Sequence, residues 1–454
     1  MYSILAPVRP AIDDHWFNQL LPLATLASEI YSYLPPTIQA RQAAHDQFYA
    51  SGMQTNPAQI PDLQYRSTIT EHAAGLTKLR AKIQKQETNE AVRTIYIQRI
   101  DELRTNCGLW LAAAEQNMEK FAASNTKLYG SPDRQIYAAV CAWVREQAAR
   151  HAAHASIGVR EAAQEVLRII PDEAADPKSI IPDETAFAAL YNLHFSPGSY
   201  MDQLFAGTFI APDHPVGQRE GDAIIHQVLK NIGVRYTIAD APDIYWRIQH
   251  SARHVVRPAE YHMNPDTFRA IIAHEVGSHL LEYANGLRGP LHLLASGLAH
   301  YEHGNEGRAY MREQLAAGSI TAALQDEGWQ LCVAKHLGIS LACGYNGHKY
   351  TFSEVYAVLS ALHTFWLRLQ QPERQLEADE NAREHAWNLT CRLLVGTNGL
   401  SGAYLKDTVY LEGNVRCWQE AKRNPAHILK GDMGKFDICN PEQVGQLQAL
   451  GILP

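Results

Sequence analysis

The residues with the clearest chemical potential stand in the middle of a chain of 454 residues: His274-Glu275-Val276-Gly277-Ser278-His279, an HExxxH pattern. Imidazole nitrogens and carboxylates are zinc donors. In the commoner HExxH spacing the two histidines lie about 40° apart around a regular helix, so both rings face one ion. One residue further apart, they point about 140° away from each other. The spacing therefore predicts a bulge with an i to i+5 turn over Val276–Ser278, where Gly277 tolerates the distortion cheaply.

A third donor is needed, and Glu306 in HGNEGRAYMREQL opens the next helical segment. Two histidines on one helix and a glutamate on a later one make the His2Glu set of catalytic zinc sites, with the fourth position open to water. Glu302, His300, His303 and Glu327 compete for that third place. Glu275 adjoins a ligand without being one, which suits a base that takes a proton from the water.

Helices must position these groups. Asn264 as cap, Pro265 at the first helical position and Asp266 in the first turn open the motif helix, and Asn285 with Gly286 is expected to close it. Upstream, Asp13 to about Leu193 is rich in Ala, Leu, Gln, Glu and Arg at helical spacing. Within it, residues 89–126 read as one long core helix, and a second helix follows with Ser131 as cap and Pro132 in its first turn. Pro, Gly and Asp punctuate residues 195–222, which sets the expected division: a helical N-terminal region over 1–205 and a catalytic domain over 206–454. Beyond a helix over 223–232, VRYTIAD reads as a strand, and YWRIQHS with HVVRPAEYHM as a hairpin. Between Arg247 and Arg257 lie three arginines and two histidines without an acid, which fits a cationic substrate strand or a solvated edge.

Composition bounds the function. Lys and Arg number 40 against 48 Asp and Glu, a net charge of −8, which argues against nucleic acid as a partner. No apolar run reaches the roughly 18 residues of a membrane span, and the opening residues lack a secretory signal, so a cytoplasmic location is expected. The seven cysteines are scattered without a CxxC pair, the pattern of reduced, mostly buried thiols.

The stretch HEVGSHLLEYANGLRGPLHLLASGLAHYEHGNEGRA resembles the signature of a family that contains the microtubule-associated tyrosine carboxypeptidases and bacterial relatives called flavohaemoglobin expression-modulating QEGLA motif proteins. Looser likeness extends to LYGSPDR (128–134) and LKDTVYLEG (405–413). The resemblance implies zinc on His274, His279 and Glu306, with Glu275 catalytic. The QEGLA block stands here as NEGRA, with Asn305 and Arg308 in place of Gln and Leu; Arg308 either lends cationic character near the metal or, the reading preferred here, faces water. A peptidase also needs a donor aimed at the developing oxyanion, for which Tyr410 is the candidate. A carboxypeptidase needs a cation for the terminal carboxylate, for which Lys406, Arg253 and Arg257 compete.

The expectation is a mainly α, α+β protein whose zincin-like metallopeptidase domain sets a small sheet beside the HExxxH helix. The expected reaction is zinc-assisted removal of a C-terminal residue, tyrosine by resemblance, from a peptide or protein. Another zinc hydrolase, an endopeptidase or amidase, and a non-catalytic metal-binding regulator are the alternatives.

Overall fold

The computed structural model describes residues 5–33, 38–60, 66–241 and 246–453. Helices dominate it, and two small sheets lie in the middle of the chain. The first four residues, Tyr245 at the start of the expected hairpin, and parts of the expected helical region lie outside the described residues. Among those described, no helix is long and apolar enough to cross a membrane.

The expected long helix over 89–126 is two: Glu90–Ala114 and Met118–Tyr129. Gln116 turns the chain with a φ of 55°, and Asn117 caps the second helix by accepting from the Lys120 N–H. The next helix is Arg134–His151, capped by Asp133 rather than Ser131; the Asp133 carboxylate accepts from the N–H groups of Gln135 and Ile136. The reason is reach, since a carboxylate next to the first turn can satisfy two orphan donors.

Among the described residues five strands follow: β1 (Val216–Gly217), β2 (Thr237–Ala241), β3 (Arg247–Gln249), β4 (His254–Pro258) and β5 (His262–Met263). The expected hairpin forms as antiparallel β3 and β4, with Ile248 opposite Val255. Strand β2 adds to the other edge of β4 in parallel, Ile238 beside Val255, and β1 pairs with β5. Val255 of β4 packs, with Phe268, Ile272, Val276 and Leu280 of the motif helix, into a core that also holds Ile225 and Val228. Each such side chain, fully buried, contributes about 1.5–3 kcal/mol. A larger core joins Tyr96, Ile100, Trp110 and Tyr137 to Phe352, Leu359, Val409 and Phe436 from far along the chain.

Two glycines decide how closely the elements around the motif approach. Helix Glu302–Ala316 crosses helix Thr408–Arg423 where Gly307 meets Gly413, and a side chain on either would strike the backbone of the other helix. These are the glycines of the NEGRA and LKDTVYLEG blocks, so two blocks far apart in sequence are one crossing in space. The LYGSPDR block joins them, because the Asp133 N–H donates to Glu412 at 2.8 Å.

Candidate metal centre

The motif helix runs from Pro265 to Arg288 in three stretches: regular over Pro265–His274, a π turn over Glu275–Leu280, and regular again over Leu281–Arg288. Asn264 caps it, accepting from the Asp266 N–H at 2.8 Å. It does not close at Asn285 and Gly286. Both are buried inside it: Gly286 lies against the backbone of Leu294 and Ala295, where a Cβ would collide, and Asn285 donates to the Asp432 carbonyl at 2.8 Å.

The π turn is the bulge that the histidine spacing predicts. The Leu281 N–H is shared between the Ser278 carbonyl and the Val276 carbonyl, the latter five residues back. The Gly277 carbonyl is taken instead by the Tyr200 hydroxyl and by Nη1 of Arg312 at 2.7 Å. Ser278 Oγ donates to the Ala273 carbonyl at 3.1 Å and accepts from Arg312 at 3.1 Å. Arg312 thus clamps the distortion from the neighbouring helix.

One residue inserted in the turn brings the two rings onto one side. His274 Nε2 and His279 Nε2 lie 3.3 Å apart, and Glu306 Oε2 is 3.3 Å from His279 Nε2 and 3.7 Å from His274 Nε2. Donors about 2.0–2.2 Å from a tetrahedral zinc stand roughly 3.3–3.6 Å from one another. The triangle fits such an ion, and it is the one group of three metal-capable side chains among the described residues. Of the competing donors, Glu302 is 3.5 Å from Lys406, His300 bonds the Leu128 carbonyl at 3.0 Å, His303 lies 3.9 Å from Glu412, and Glu327 is exposed.

His274 is oriented from behind. Its Nδ1 lies 2.9 Å from Oε2 of Glu313, two turns along the same helix face from Glu306, which turns Nε2 toward the triangle. Burial works against the charged imidazole, but Glu313, with Glu275 and Glu306, outweighs it and lifts His274 to about 9. Burial also opposes the Glu306 carboxylate, and there His279, His274 and Lys406 win, holding it at about 2. Burial raises the Glu275 carboxyl above its ordinary value although both histidines favour its charged form.

Tyr410 stands on helix Thr408–Arg423 with its ring 5.6 Å from Tyr310, whose ring meets His274 at 5.1 Å. Lys406 lies beside Glu302 and within electrostatic reach of Glu306 and Tyr410. Arg257 is engaged elsewhere: its guanidinium is bound by Asp222 at 2.7 and 2.9 Å and also pairs with Asp240. The strand carrying it has no acid of its own, and its partners arrive from β2 and a helix. Arg253 is exposed in the turn between β3 and β4.

Arg308 does not face water. It is 1% exposed and pairs with Glu282 and, at 2.7 Å, with Asp432, to which Arg312 also binds. Asn305 donates to the second oxygen of Glu282. The two departures from QEGLA therefore serve one carboxylate, three residues beyond His279, and the network balances two arginines with two acids.

Two groups near the centre carry no signal in the local sequence. Lys435, 9% exposed, donates Nζ–H to His250 Nε2 at 3.1 Å, and pairs with no carboxylate among the described residues. His250 lies flat on Tyr283 with ring centroids 4.0 Å apart, and its Nδ1 is 3.0 Å from the Tyr236 hydroxyl. Burial, then Lys435 and His279, push this histidine well below its ordinary value, so it is neutral and accepts through Nε2. Burial lowers the Lys435 ammonium from its ordinary value, against the pull of Glu282, Glu306 and Glu275.

Residues 212–325, which hold the sheets, the motif helix and Glu306, match the family model described as microtubule-associated tyrosine carboxypeptidase. This supports the family that the motif blocks resemble. No curated protein and no solved structure matches the chain.

Proposed function

We propose that this chain, similar over residues 212–325 to a family of tyrosine carboxypeptidases, is a zinc-dependent peptidase that removes the C-terminal residue of a peptide or protein, tyrosine foremost. The observation that carries the reading is the triangle of His274 Nε2, His279 Nε2 and Glu306 Oε2 at tetrahedral spacing, with Glu275 beside it. Zinc held there supplies Lewis acidity and a water acidified to near neutrality.

The rest is the work of the chain's own side chains. Glu275 accepts the proton of the attacking water, and its burial and acidic neighbours raise its affinity for that proton. The Tyr410 hydroxyl, kept protonated by burial and by Glu306, donates to the oxyanion that develops on the scissile carbonyl. Lys435 and Lys406 are the cations for the terminal carboxylate. Lys435 is the stronger candidate, because its partner is a neutral imidazole while Lys406 already has Glu302. A cavity of about 60 Å³ beside the Glu302 helix, lined by Trp110, Tyr129, Tyr404 and Asn106, is the candidate for the end of the terminal side chain. The buried Oδ1 of Asn106 has no partner among the described residues and offers an acceptor for a phenolic hydroxyl.

The test joins metal analysis of the purified protein to release of the last residue from peptides ending in tyrosine, phenylalanine or alanine. One zinc per chain and release in the order Tyr, Phe, Ala is the expected result. Cleavage confined to internal bonds would replace the reading with an endopeptidase, and zinc without cleavage of any peptide would replace it with a metal-binding regulator.

A further inference from the structure

Tyr410, the candidate donor to the oxyanion, bonds no protein group through its hydroxyl among the described residues. What aims that hydroxyl is therefore the packing of its ring. Tyr310 meets the ring with centroids 5.6 Å apart and planes at 71°. Over the ring lies Nζ of Lys335, 4.1 Å from the centroid. An ammonium within about 6 Å of an aromatic centroid is attracted by the negative face of the ring.

Packing alone does not account for a lysine here. Lys335 stands in helix Glu327–Ala342 among Val333, Ala334, Leu337 and Ile339, and is 4% exposed. Among the described residues it donates no hydrogen bond and pairs with no acid. Asp407, an acid whose charge acts on it, is held through both oxygens by Arg392, at 2.5 and 2.9 Å. Burial, then Arg392, lower the ammonium from its ordinary value. A charge taken out of water without a partner is costly, and a Met would fill the same space without that cost.

Resting on the reading of Tyr410 as the donor to the oxyanion, we infer that Lys335 is a positioning residue for that hydroxyl: its ammonium, set over the ring, holds the phenol in its donating orientation and strengthens the O–H as a donor. Lys335 acts through the ring and does not touch the substrate. A positive charge over the ring draws electron density from the hydroxyl, and in a buried site that effect is weakly screened. The bond from Tyr410 grows as negative charge develops on the substrate oxygen, so the contribution of Lys335 falls on kcat rather than on KM. Three helices meet at this point, with Tyr310 from Glu302–Ala316, Lys335 from Glu327–Ala342 and Tyr410 from Thr408–Arg423.

Four variants of the full chain test it: Lys335→Met, Lys335→Arg, Tyr410→Phe, and Lys335→Met combined with Tyr410→Phe. Met keeps the length and removes the charge, while Arg keeps a charge that burial does not take away and stacks on aromatic faces. Turnover of a tyrosine-ending peptide is measured at matched zinc loading. Tyr410→Phe is expected to lower kcat about 10²- to 10³-fold. Lys335→Met is expected to lower kcat about tenfold with KM kept, Lys335→Arg to restore most of it, and the double variant to be no slower than Tyr410→Phe. A second readout needs neither zinc nor substrate. With tyrosine labelled with carbon-13 at the hydroxyl-bearing carbon, the signal that Tyr410→Phe removes should move in Lys335→Met and return in Lys335→Arg. Thermal unfolding should place Lys335→Met at or above the wild type, since an apolar side chain replaces a buried charge. Wild-type kcat in Lys335→Met would overturn the inference, as would a double variant slower than Tyr410→Phe by the full Lys335→Met factor. A raised KM with kcat kept would also overturn it and make Lys335 a substrate ligand. Wild-type kcat in Tyr410→Phe would instead remove the role of Tyr410, and this inference with it.

Discussion

The motif helix and the Glu302 helix face each other across two charged clusters of opposite design. On one side His274, His279, Glu306, Glu275 and Glu313 gather more acid than base, and His274 is drawn up to about 9 for want of a cation. On the other, Glu282 and Asp432 are met by Arg308 and Arg312, with Arg308 and Glu282 almost wholly buried. The second cluster is complete in itself, and the first is one that a metal ion would complete. The two are joined through Arg312, which binds Asp432 in the balanced cluster and holds the Gly277 carbonyl of the π turn that brings the histidines together. A buried ion network is weak evidence for stability in itself. Here it shapes the backbone of the site.

The largest effect separates chemistry from binding within the metal cluster. Glu275→Gln keeps size and hydrogen bonding but cannot take the proton. Turnover of a tyrosine-ending peptide is expected to fall about 10²- to 10⁴-fold, at unchanged zinc content and melting temperature. Equal turnover at matched zinc loading would move the base to another group.

The balanced cluster is broken by removing one member. Arg308→Met strands the buried Glu282 and is expected to lower unfolding free energy by about 3–5 kcal/mol in denaturant titrations, and Arg312→Met, which leaves Asp432 with one of its two arginines, by less. Their zinc affinities should differ. Arg308 has no hydrogen bond to the π turn, so its variant keeps zinc where it stays folded; Arg312→Met also releases the Gly277 carbonyl and Ser278, so it loses zinc affinity as well. Identical zinc affinities in the two folded variants would uncouple the clamp from the π turn.

Gly413→Ala tests the helix crossing that sets Glu306 in place. The added methyl meets the His303 carbonyl, and overpacking of this kind costs about 1–3 kcal/mol. Weaker zinc binding should accompany the loss of stability, because Glu306 lies next to Gly307 at the crossing. Unchanged thermal unfolding would mean that the two helices separate without strain.

What the sequence made legible follows from the range of each interaction. The π turn was readable because the histidine spacing and helix geometry are local, and Glu306 because its helix starts soon after the motif. Glu313 was within reach of the same logic, since it repeats the Glu306 face two turns later, yet nothing local marks it as a partner of His274. Arg308 was misread as solvent-facing because its partners, Glu282 and Asp432, come from two other segments, and burial cannot be seen from one helix. The break at Gln116 has no glycine or proline to announce it. The parallel pairing of β2 with β4 is a long-range choice that alternation of residues does not encode. Lys435 and His250 come from a loop and a strand end far apart in the chain, so only the fold makes them a pair.

The smallest effect concerns that pair. A buried ammonium whose hydrogen-bond partner is a neutral imidazole bonds no carboxylate among the described residues, unlike Arg308 and Arg312 in the balanced cluster, and a substrate carboxylate would supply one. Lys435→Met keeps the length and apolar stem and removes the charge. The expected result is a rise in KM of about tenfold for peptides with a free C-terminus, close to the 1.4 kcal/mol at the low end for a hydrogen bond to a charged group, with kcat nearly kept. The wild type should favour the free acid over the same peptide amidated at its C-terminus, and the variant should discriminate less. Lys406→Met is the internal control: its ammonium has Glu302 3.5 Å away, so removing it should alter the acid-to-amide ratio less than Lys435→Met does. The reverse order of the two variants would assign the carboxylate to Lys406 and leave Lys435 as a prop for His250.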